Sequence, residues 1–209
     1  MNDFSLYLKQ IGGHLEASGT RWCLIGGLAV GARTDPRFTK DVDLAVSVVS
    51  DEDSEQLVFA LQASGYRILA ILEQQVTGRL ATARLAPPGG HDSLVIDLLF
   101  ASSGIESSVV LRSEVLEVFP DIKLPVASLG DLIAMKVLAR DDQTRPQDRL
   151  DLRALLGHAS EQDLRIARQA LDEISALGYN RERLLEAELA AVEREFSPPS
   201  NQASDSDPV

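Results

Sequence analysis

The chain has 209 residues, of which 44% are hydrophobic and 25% charged, as expected of a globular protein with one sizeable core. Its formal net charge of −12 disfavours broad nonspecific binding to nucleic acid, because a protein that follows phosphates over a long surface normally needs a basic face. The single cysteine, Cys23, excludes an internal disulfide and a cysteine-rich zinc site, and without an apolar run of membrane-spanning length or a secretory signal we expect a soluble, cytoplasmic protein.

Hydrophobic periodicity and turn residues predict an alternation of helices and strands up to residue 126. The predicted elements are a helix over 3–18, a strand over 22–25, a short helical segment over 28–33, a strand over 42–46, a helix from Ser50 to a Gly65 cap, strands over 67–73, 79–86 and 93–100, a short helix over 104–112, and a hairpin of 114–119 with 123–126. Helices predominate beyond this point, over 128–138, 147–156, 160–177 and 180–196. We therefore expect an α/β catalytic domain over 1–127, a helical subdomain over 128–196 and a disordered tail over 197–209.

Two aspartates at the start of the fourth of these elements are candidates for metal binding. Side chains alternate across a strand, so Asp41 and Asp43 project from the same face. Carboxylates held so close together repel one another unless a cation lies between them, and oxygen-rich sites of this kind suit Mg²⁺. Two aspartates separated by one residue also occur by chance at solvated strand ends, so this pattern alone decides little.

Asp97 strengthens the interpretation of the two acids as a site. It interrupts the apolar run SLVIDLLF, where burying a lone carboxylate would be costly, so it needs a partner. On adjacent strands, which lie ~4.8 Å apart, Asp41, Asp43 and Asp97 could share one or two metal ions. Such a centre aligns a nucleoside triphosphate and stabilises the charge that develops on its pyrophosphate.

The residues between the first strand and the acids could bind phosphate. Gly26 and Gly27 lack side chains and would let backbone amides approach phosphate closely at the start of a helix. Thr39 and Lys40 could add a hydroxyl and a positive charge. Further along, Lys136 and Arg140 are spaced to face the same way on a helix, as are Asp148 and Asp151.

Several motifs in a fixed order resemble a known superfamily. Two glycines, thirteen intervening residues and Asp-Val-Asp, with Asp97 on a later apolar strand, resemble the DNA-polymerase-β-like nucleotidyltransferases. Within that superfamily, GGLAVGARTDPRFTKDVDL, IDLLF, KVLAR and RPQDRLDLRALL are most similar to the AbiEii/AbiGii-type nucleotidyltransferase toxins of bacterial toxin–antitoxin and phage-defence systems. The resemblance implies a mixed sheet flanked by helices, Mg²⁺ or Mn²⁺, and transfer of a nucleotide from a nucleoside triphosphate, for some relatives to the 3′ end of tRNA.

The resemblance also assigns roles to individual residues. It makes Asp41 and Asp43 the metal ligands, Asp97 the third carboxylate, Lys136 a contact of the triphosphate, and Asp148 a catalytic acid, although Asp151 is an alternative to Asp148. Arg140 is a further candidate for binding the triphosphate, because its spacing places it on the helix face of Lys136. Many superfamily members carry Gly-Ser where this chain has Gly26–Gly27, so the serine contact with phosphate is absent.

The predicted function is therefore a nucleotidyltransferase that modifies an RNA hydroxyl, with an antitoxin protein as a partner. A small-molecule or protein acceptor, and a non-catalytic binding module of the same fold, are the alternatives.

Overall fold

A computed structural model describes residues 3–36, 39, 41–74, 77–89, 94–141 and 143–196. The helices among these residues are α1 (Asp3–Ala17), α2 (Gly26–Arg33), α3 (Asp51–Ala63), α4 (Glu106–Leu111), α5 (Leu129–Ala139), α6 (Pro146–His158), α7 (Glu161–Ala176) and α8 (Leu185–Phe196). The strands are β1 (Arg21–Ile25), β2 (Asp41–Ser47), β3 (Arg67–Glu73), β4 (Leu80–Ala86), β5 (Val95–Leu99), β6 (Glu114–Phe119) and β7 (Ile122–Val126). The predicted tail over 197–209 lies outside the described residues.

The seven strands form one mixed sheet, as the resemblance implies. Their order is β3-β4-β5-β2-β1-β7-β6, in which β2 pairs parallel with β5, and β1 pairs antiparallel with β2 and parallel with β7. This register places Asp97 opposite Asp43 on one side and Ile25 opposite Asp43 on the other. Since α2 begins directly after Ile25, its first turn starts beside the acids.

Helices pack on the sheet and on one another around a continuous core. α1 and α4 contact β1, α4 also contacts β2, and α3 contacts β4, whereas α5 packs against α2, α6 and α7. Buried side chains from the sheet, such as Leu44 and Leu98, belong to the same apolar cluster as Ile133 of α5 and Leu171 of α7. The predicted boundary at residues 127 and 128 falls between β7 and α5, and the division into two regions stays a prediction.

One predicted helix boundary next to the candidate site is wrong. The last helix begins at Leu185 and not at residue 180, because Arg181 and Glu182 have positive φ angles of 54° and 58°. α5 ends at Ala139, and Arg140 has the extended-type ψ angle of 127°. Among the residues that the structure describes, no helix combines the length and apolar character required to cross a bilayer.

Candidate active site

Three carboxylates lie beside one another on two neighbouring strands. Asp41 and Asp43 alternate on β2, and Asp97 of β5 is the register partner of Asp43. All three line a cleft of about 400 Å³. The other residues that line it are Ile25, Gly26, Leu72, Thr82, Arg84, Leu99, Ser102, Ser103, Leu132, Met135, Lys136, Leu138, Ala139, Arg145 and Arg181. The structure thus brings Asp41, Asp43, Asp97, Gly26 and Lys136 together, as the sequence analysis expects.

Asp43 is a carboxylate whose surroundings disfavour its charge. Burial raises the pKa of Asp43 most, nearby Asp97 and Asp41 raise it further, and the net value is about 6 although Lys136 and Arg145 act in the opposite direction. Among the described residues, no lysine or arginine forms an ion pair with Asp41 or Asp43. A cation bound between these two carboxylates would relieve this unfavourable charge.

Gly26 is required by the side chain of Asp43. Its φ angle is +64°, a conformation that residues with a side chain rarely adopt, and a Cβ atom there would lie 1.9 Å from Oδ2 of Asp43. The first turn of α2 is also open on its N-terminal side, because Ile25 provides no side-chain cap. Gly27 is buried and is not among the residues that line the cleft.

Asp97 has an arginine partner that the sequence analysis missed. Arg84 of β4 donates from Nε to Oδ1 of Asp97 at 2.8 Å and from Nη2 to Oδ2 at 2.7 Å. These hydrogen bonds, together with the charge of Asp97, raise the pKa of Arg84. This pair could be recognised only once the strand register was known, because β4 and β5 are antiparallel and Arg84 lies opposite Asp97. Burial of Asp97 is therefore explained without a metal ion.

Lys136 is held between two acids of α6. Its Nζ lies 2.7 Å from Oδ1 of Asp148 and 2.9 Å from Oδ2 of Asp151, and both aspartates are 1% exposed. Arg145 approaches the other oxygen of Asp148, with Nε at 2.9 Å from Oδ2, but Oδ2 accepts no hydrogen bond because the approach is poorly aligned. Asp148 and Asp151 both lie behind Lys136 and do not line the cleft.

Two other predicted phosphate contacts, Thr39 and Arg140, do not line the cleft that holds the acids. Arg140 lines an adjoining cavity of about 450 Å³, because α5 ends before it and it no longer shares the helix face of Lys136. The hydroxyl of Thr39 donates to the backbone carbonyl of Asp41 at 3.4 Å, and Thr39 does not line the cleft. Lys40 lies outside the described residues.

Asp41 and Asp43 are the side chains whose chemistry fits a divalent cation. Both offer carboxylate oxygens, the donors that Mg²⁺ and Mn²⁺ prefer, and the raised pKa of Asp43 marks a site where negative charge is poorly compensated. In the described part of the chain, no group of three acidic, histidine or cysteine side chains is arranged to hold a metal ion. This agrees with the two hydrogen bonds that direct Asp97 towards Arg84.

A known protein family includes this chain. The model of the AbiEii family, described as a nucleotidyl transferase toxin of a type IV toxin–antitoxin system, matches residues 14–205. The chain belongs to the AbiEii family. This AbiEii family member is therefore a nucleotidyltransferase. No match was found among curated protein sequences.

The fold is similar to that of one solved nucleotidyltransferase-like structure, and two further structures are similar at lower TM-scores. An antigenic nucleotidyltransferase-like protein from Paracoccidioides brasiliensis has a TM-score of 0.50 and 19% identity, over 87% of this chain and 89% of that chain. The lincosamide antibiotic adenylyltransferase LnuA, bound to lincomycin, has a TM-score of 0.47 and 14% identity, over 73% of this chain and 96% of that chain. A tRNA-processing enzyme has a TM-score of 0.40 and 15% identity, over 94% of this chain and 57% of that chain.

Proposed function

We propose that this nucleotidyltransferase moves a nucleoside monophosphate from a nucleoside triphosphate to an acceptor hydroxyl, with the reaction centred on Asp41, Asp43 and Asp97. The observation that carries the proposal is the register of β2 with β5, which sets Asp43 beside Asp97 in a cleft shared with Lys136. The obligatory glycine at position 26 supports it, because the local backbone accommodates the carboxylate of Asp43.

Asp41 and Asp43 would hold Mg²⁺ or Mn²⁺ in this proposal. When bound, such an ion neutralises charge on the phosphates and helps to orient them. The protein's own contribution is to fix both carboxylates on one rigid strand, whose side chains alternate so that both face the cleft. It also keeps a side chain away from Asp43 by placing Gly26 there.

The acceptor oxygen forms a bond to the α-phosphorus, and the bond between that phosphorus and the oxygen bridging to the β-phosphate breaks. Pyrophosphate leaves with that oxygen. We propose that Asp97 accepts the proton of the acceptor hydroxyl, because Arg84 holds both oxygens of Asp97 and orients them at the cleft wall. Each carboxylate oxygen has a second lone pair, so the hydrogen bonds with Arg84 leave Asp97 able to accept a proton.

Lys136 would contact a phosphate oxygen, and Asp148 and Asp151 would position it. An ammonium group has three N–H donors, and the two contacts with Asp148 and Asp151 leave one directed elsewhere. Because neither aspartate lines the cleft, we assign Asp148 a positioning role in place of direct contact with substrate. In this reading, the helices after residue 127 form the wall opposite the strands that carry the acids.

We propose RNA, in particular the 3′ hydroxyl of tRNA, as the acceptor, and a cognate antitoxin as a partner in a cytoplasmic toxin–antitoxin pair. The description of the family as a toxin favours an acceptor that growing cells require. The net charge of −12 limits the RNA contact to a small region around the cleft mouth, where Arg145 and Arg181 lie.

The test is transfer of label from each α-³²P nucleoside triphosphate to separate pools of total RNA, protein and small metabolites, with Mg²⁺ and with EDTA. We expect label on RNA 3′ ends, and a loss of at least about a hundredfold in D41N and D43N. D172N changes an exposed acid of α7 away from the cleft and should retain wild-type activity.

Label on metabolites or protein would keep the reaction but overturn the RNA acceptor. Full activity in D43N would overturn the assignment of the site. For the toxin role, induced wild-type protein should arrest bacterial growth and D43N should not, and co-expression of the product of a neighbouring reading frame should restore growth if that product is the antitoxin.

A further inference from the structure

The segment between α7 and α8, residues 178–184, lies beside the cleft and is attached on two sides. On the first side, Tyr179 is buried and its ring packs against Gly104, where a Cβ atom would lie 2.9 Å from Cδ2 of the ring. The hydroxyl of Tyr179 also lies 3.5 Å from Oγ1 of Thr77. Gly104 follows Ser102 and Ser103 of the cleft wall, so this contact ties the segment to the loop after the strand of Asp97.

The second attachment is to the helix that carries Lys136. Arg183 donates from Nη1 to the carbonyl of Leu138 at 2.8 Å and from Nη2 to the carbonyl of Val137 at 3.0 Å, and these carbonyls belong to the last turn of α5. Its charge is paired with Glu188 of α8. Arg183 therefore stabilises the protein's own structure through these contacts.

Arg181 lies between these two attachments in an unfavourable backbone conformation. Arg181 and Glu182 have φ angles of 54° and 58°, and two consecutive residues with side chains rarely adopt such angles. This turn places Arg181 where it lines both the cleft and the adjoining cavity bounded by Arg140 and Arg183. The tertiary structure thus maintains a conformation that the local sequence does not favour.

Arg181 has no compensating partner in the part of the chain that the structure describes. No hydrogen bond or ion pair joins it to another described residue, in contrast to Arg145, which contacts Asp148, and Arg183, which contacts Glu188. Arg181 is an exposed residue, yet the protein around it removes enough water from its guanidinium group to lower its pKa, and the positive charges of Arg183 and Arg145 lower it further. An anion bound in the cleft, which Arg145 and Arg181 both line, would supply the counter-charge that Arg181 lacks.

The two cavities show how the cations are arranged along the cleft. Lys136 and Arg145 line the cleft that holds Asp41 and Asp43 but not the adjoining cavity, whereas Arg181 lines both. Arg181 therefore lies where the cleft meets the adjoining cavity. If the α-phosphate lies at Asp41 and Asp43, the rest of the phosphate chain extends past Arg145 towards Arg181. A guanidinium group is well suited to bind a terminal phosphate through two hydrogen bonds.

We propose that Arg181 binds the terminal phosphate of the nucleoside triphosphate and lets the cleft distinguish triphosphates from diphosphates. The proposal rests on the proposed function, since it takes the acids as the position of the α-phosphate. It assigns the 178–184 segment a role in substrate selection, with Tyr179 and Arg183 as the residues that position Arg181.

The test compares binding of the four nucleoside triphosphates carrying a methylene bridge between the α- and β-phosphorus with binding of the corresponding diphosphates, by calorimetry with Mg²⁺. We expect R181Q to weaken triphosphate binding by about ten- to a hundredfold, the value of a charge-assisted hydrogen bond, and diphosphate binding by less than about threefold. E182Q, a change at the neighbouring strained position, should alter neither affinity.

R181G separates binding from folding, because glycine tolerates the positive φ angle. It should unfold at a temperature no lower than the wild type and still lose triphosphate affinity as R181Q does. The proposal would be overturned if the Arg181 variants lost affinity equally for triphosphates and diphosphates, or if their affinities were unchanged. It would also be overturned if only the KM of the acceptor changed. Each of these outcomes would leave the transferase assignment intact. Failure of the wild-type protein to bind any of these nucleotides would overturn both.

Discussion

On the sheet side of the cleft, Asp41 and Asp43 form no ion pair with a described cation, whereas on the helical side Lys136 contacts two carboxylates at once. The first arrangement costs folding free energy, since burial and like charges raise the pKa of Asp43. The second is internally compensated, because each buried charge has an opposite charge beside it. The comparison suggests that the strand carboxylates are arranged for a ligand from outside the chain, and that the helical acids are arranged for Lys136.

Removing Lys136 should have the largest effect on stability. K136M removes the lysine that lies between the buried Asp148 and Asp151 and leaves Arg145 as the cation beside Asp148, which should lower the free energy of unfolding by about 3–5 kcal/mol in urea titrations. Neutralising the two acids as well, in K136M/D148N/D151N, should recover most of that loss without restoring transfer. If K136M alone were as stable as the wild type, the inference that Lys136 compensates the buried charges of Asp148 and Asp151 would be wrong.

Introducing a side chain at Gly26 should have the next largest effect. In G26A the new Cβ would lie 1.9 Å from Oδ2 of Asp43, and the positive φ angle would be strained as well. We expect a loss of about 2–4 kcal/mol in stability and at least about a hundredfold in transfer, since the carboxylate must move.

G19A is the matched control for this substitution. Gly19 has a similar φ angle of +72° but open space around its Cβ position. G19A should cost about 1 kcal/mol and leave transfer unchanged. Equal behaviour of the two variants would mean that backbone strain, and not Asp43, explains the glycine at position 26.

Neutralising Asp43 should have a smaller effect, of opposite sign. Because the pKa of Asp43 is raised from 3.8 to about 6, ionisation destabilises the folded state; this penalty is absent below pH 4 and complete above pH 6. With EDTA present, D43N should therefore be about 1–2 kcal/mol more stable than the wild type at pH 8 and equally stable at pH 3.5. A D43N protein that is less stable at pH 8 would contradict the unpaired state of this carboxylate.

The predictable parts of the site are those carried by local patterns. Alternation along β2 predicted that Asp41 and Asp43 share a face, and the apolar run around Asp97 predicted a buried strand. The hairpin of β3 with β4 was also predicted within one residue at each end. The family relationship followed from several motifs in order, and the family model confirms it over residues 14–205.

The parts that could not be predicted depend on which distant elements meet. Arg84 was overlooked because nothing local relates it to Asp97, thirteen residues later, until β4 and β5 pair. The alternatives Asp148 and Asp151 turned out not to be exclusive, since Lys136 contacts both. Arg140 was placed with Lys136 by helical spacing, which fails once α5 ends at Ala139.

The sequence by itself determined the classes of element, the strand that carries two acids and the family, because each depends on residues close together in the chain. Only the tertiary structure decided how the charges are compensated. A carboxylate in an apolar strand can be paired by a metal ion or by an arginine, and the strand register selects Arg84 for Asp97. Likewise, helical periodicity favoured a regular helix from residue 180, whereas contacts of Tyr179 and Arg183 with distant elements accompany the left-handed turn that presents Arg181 to the cleft.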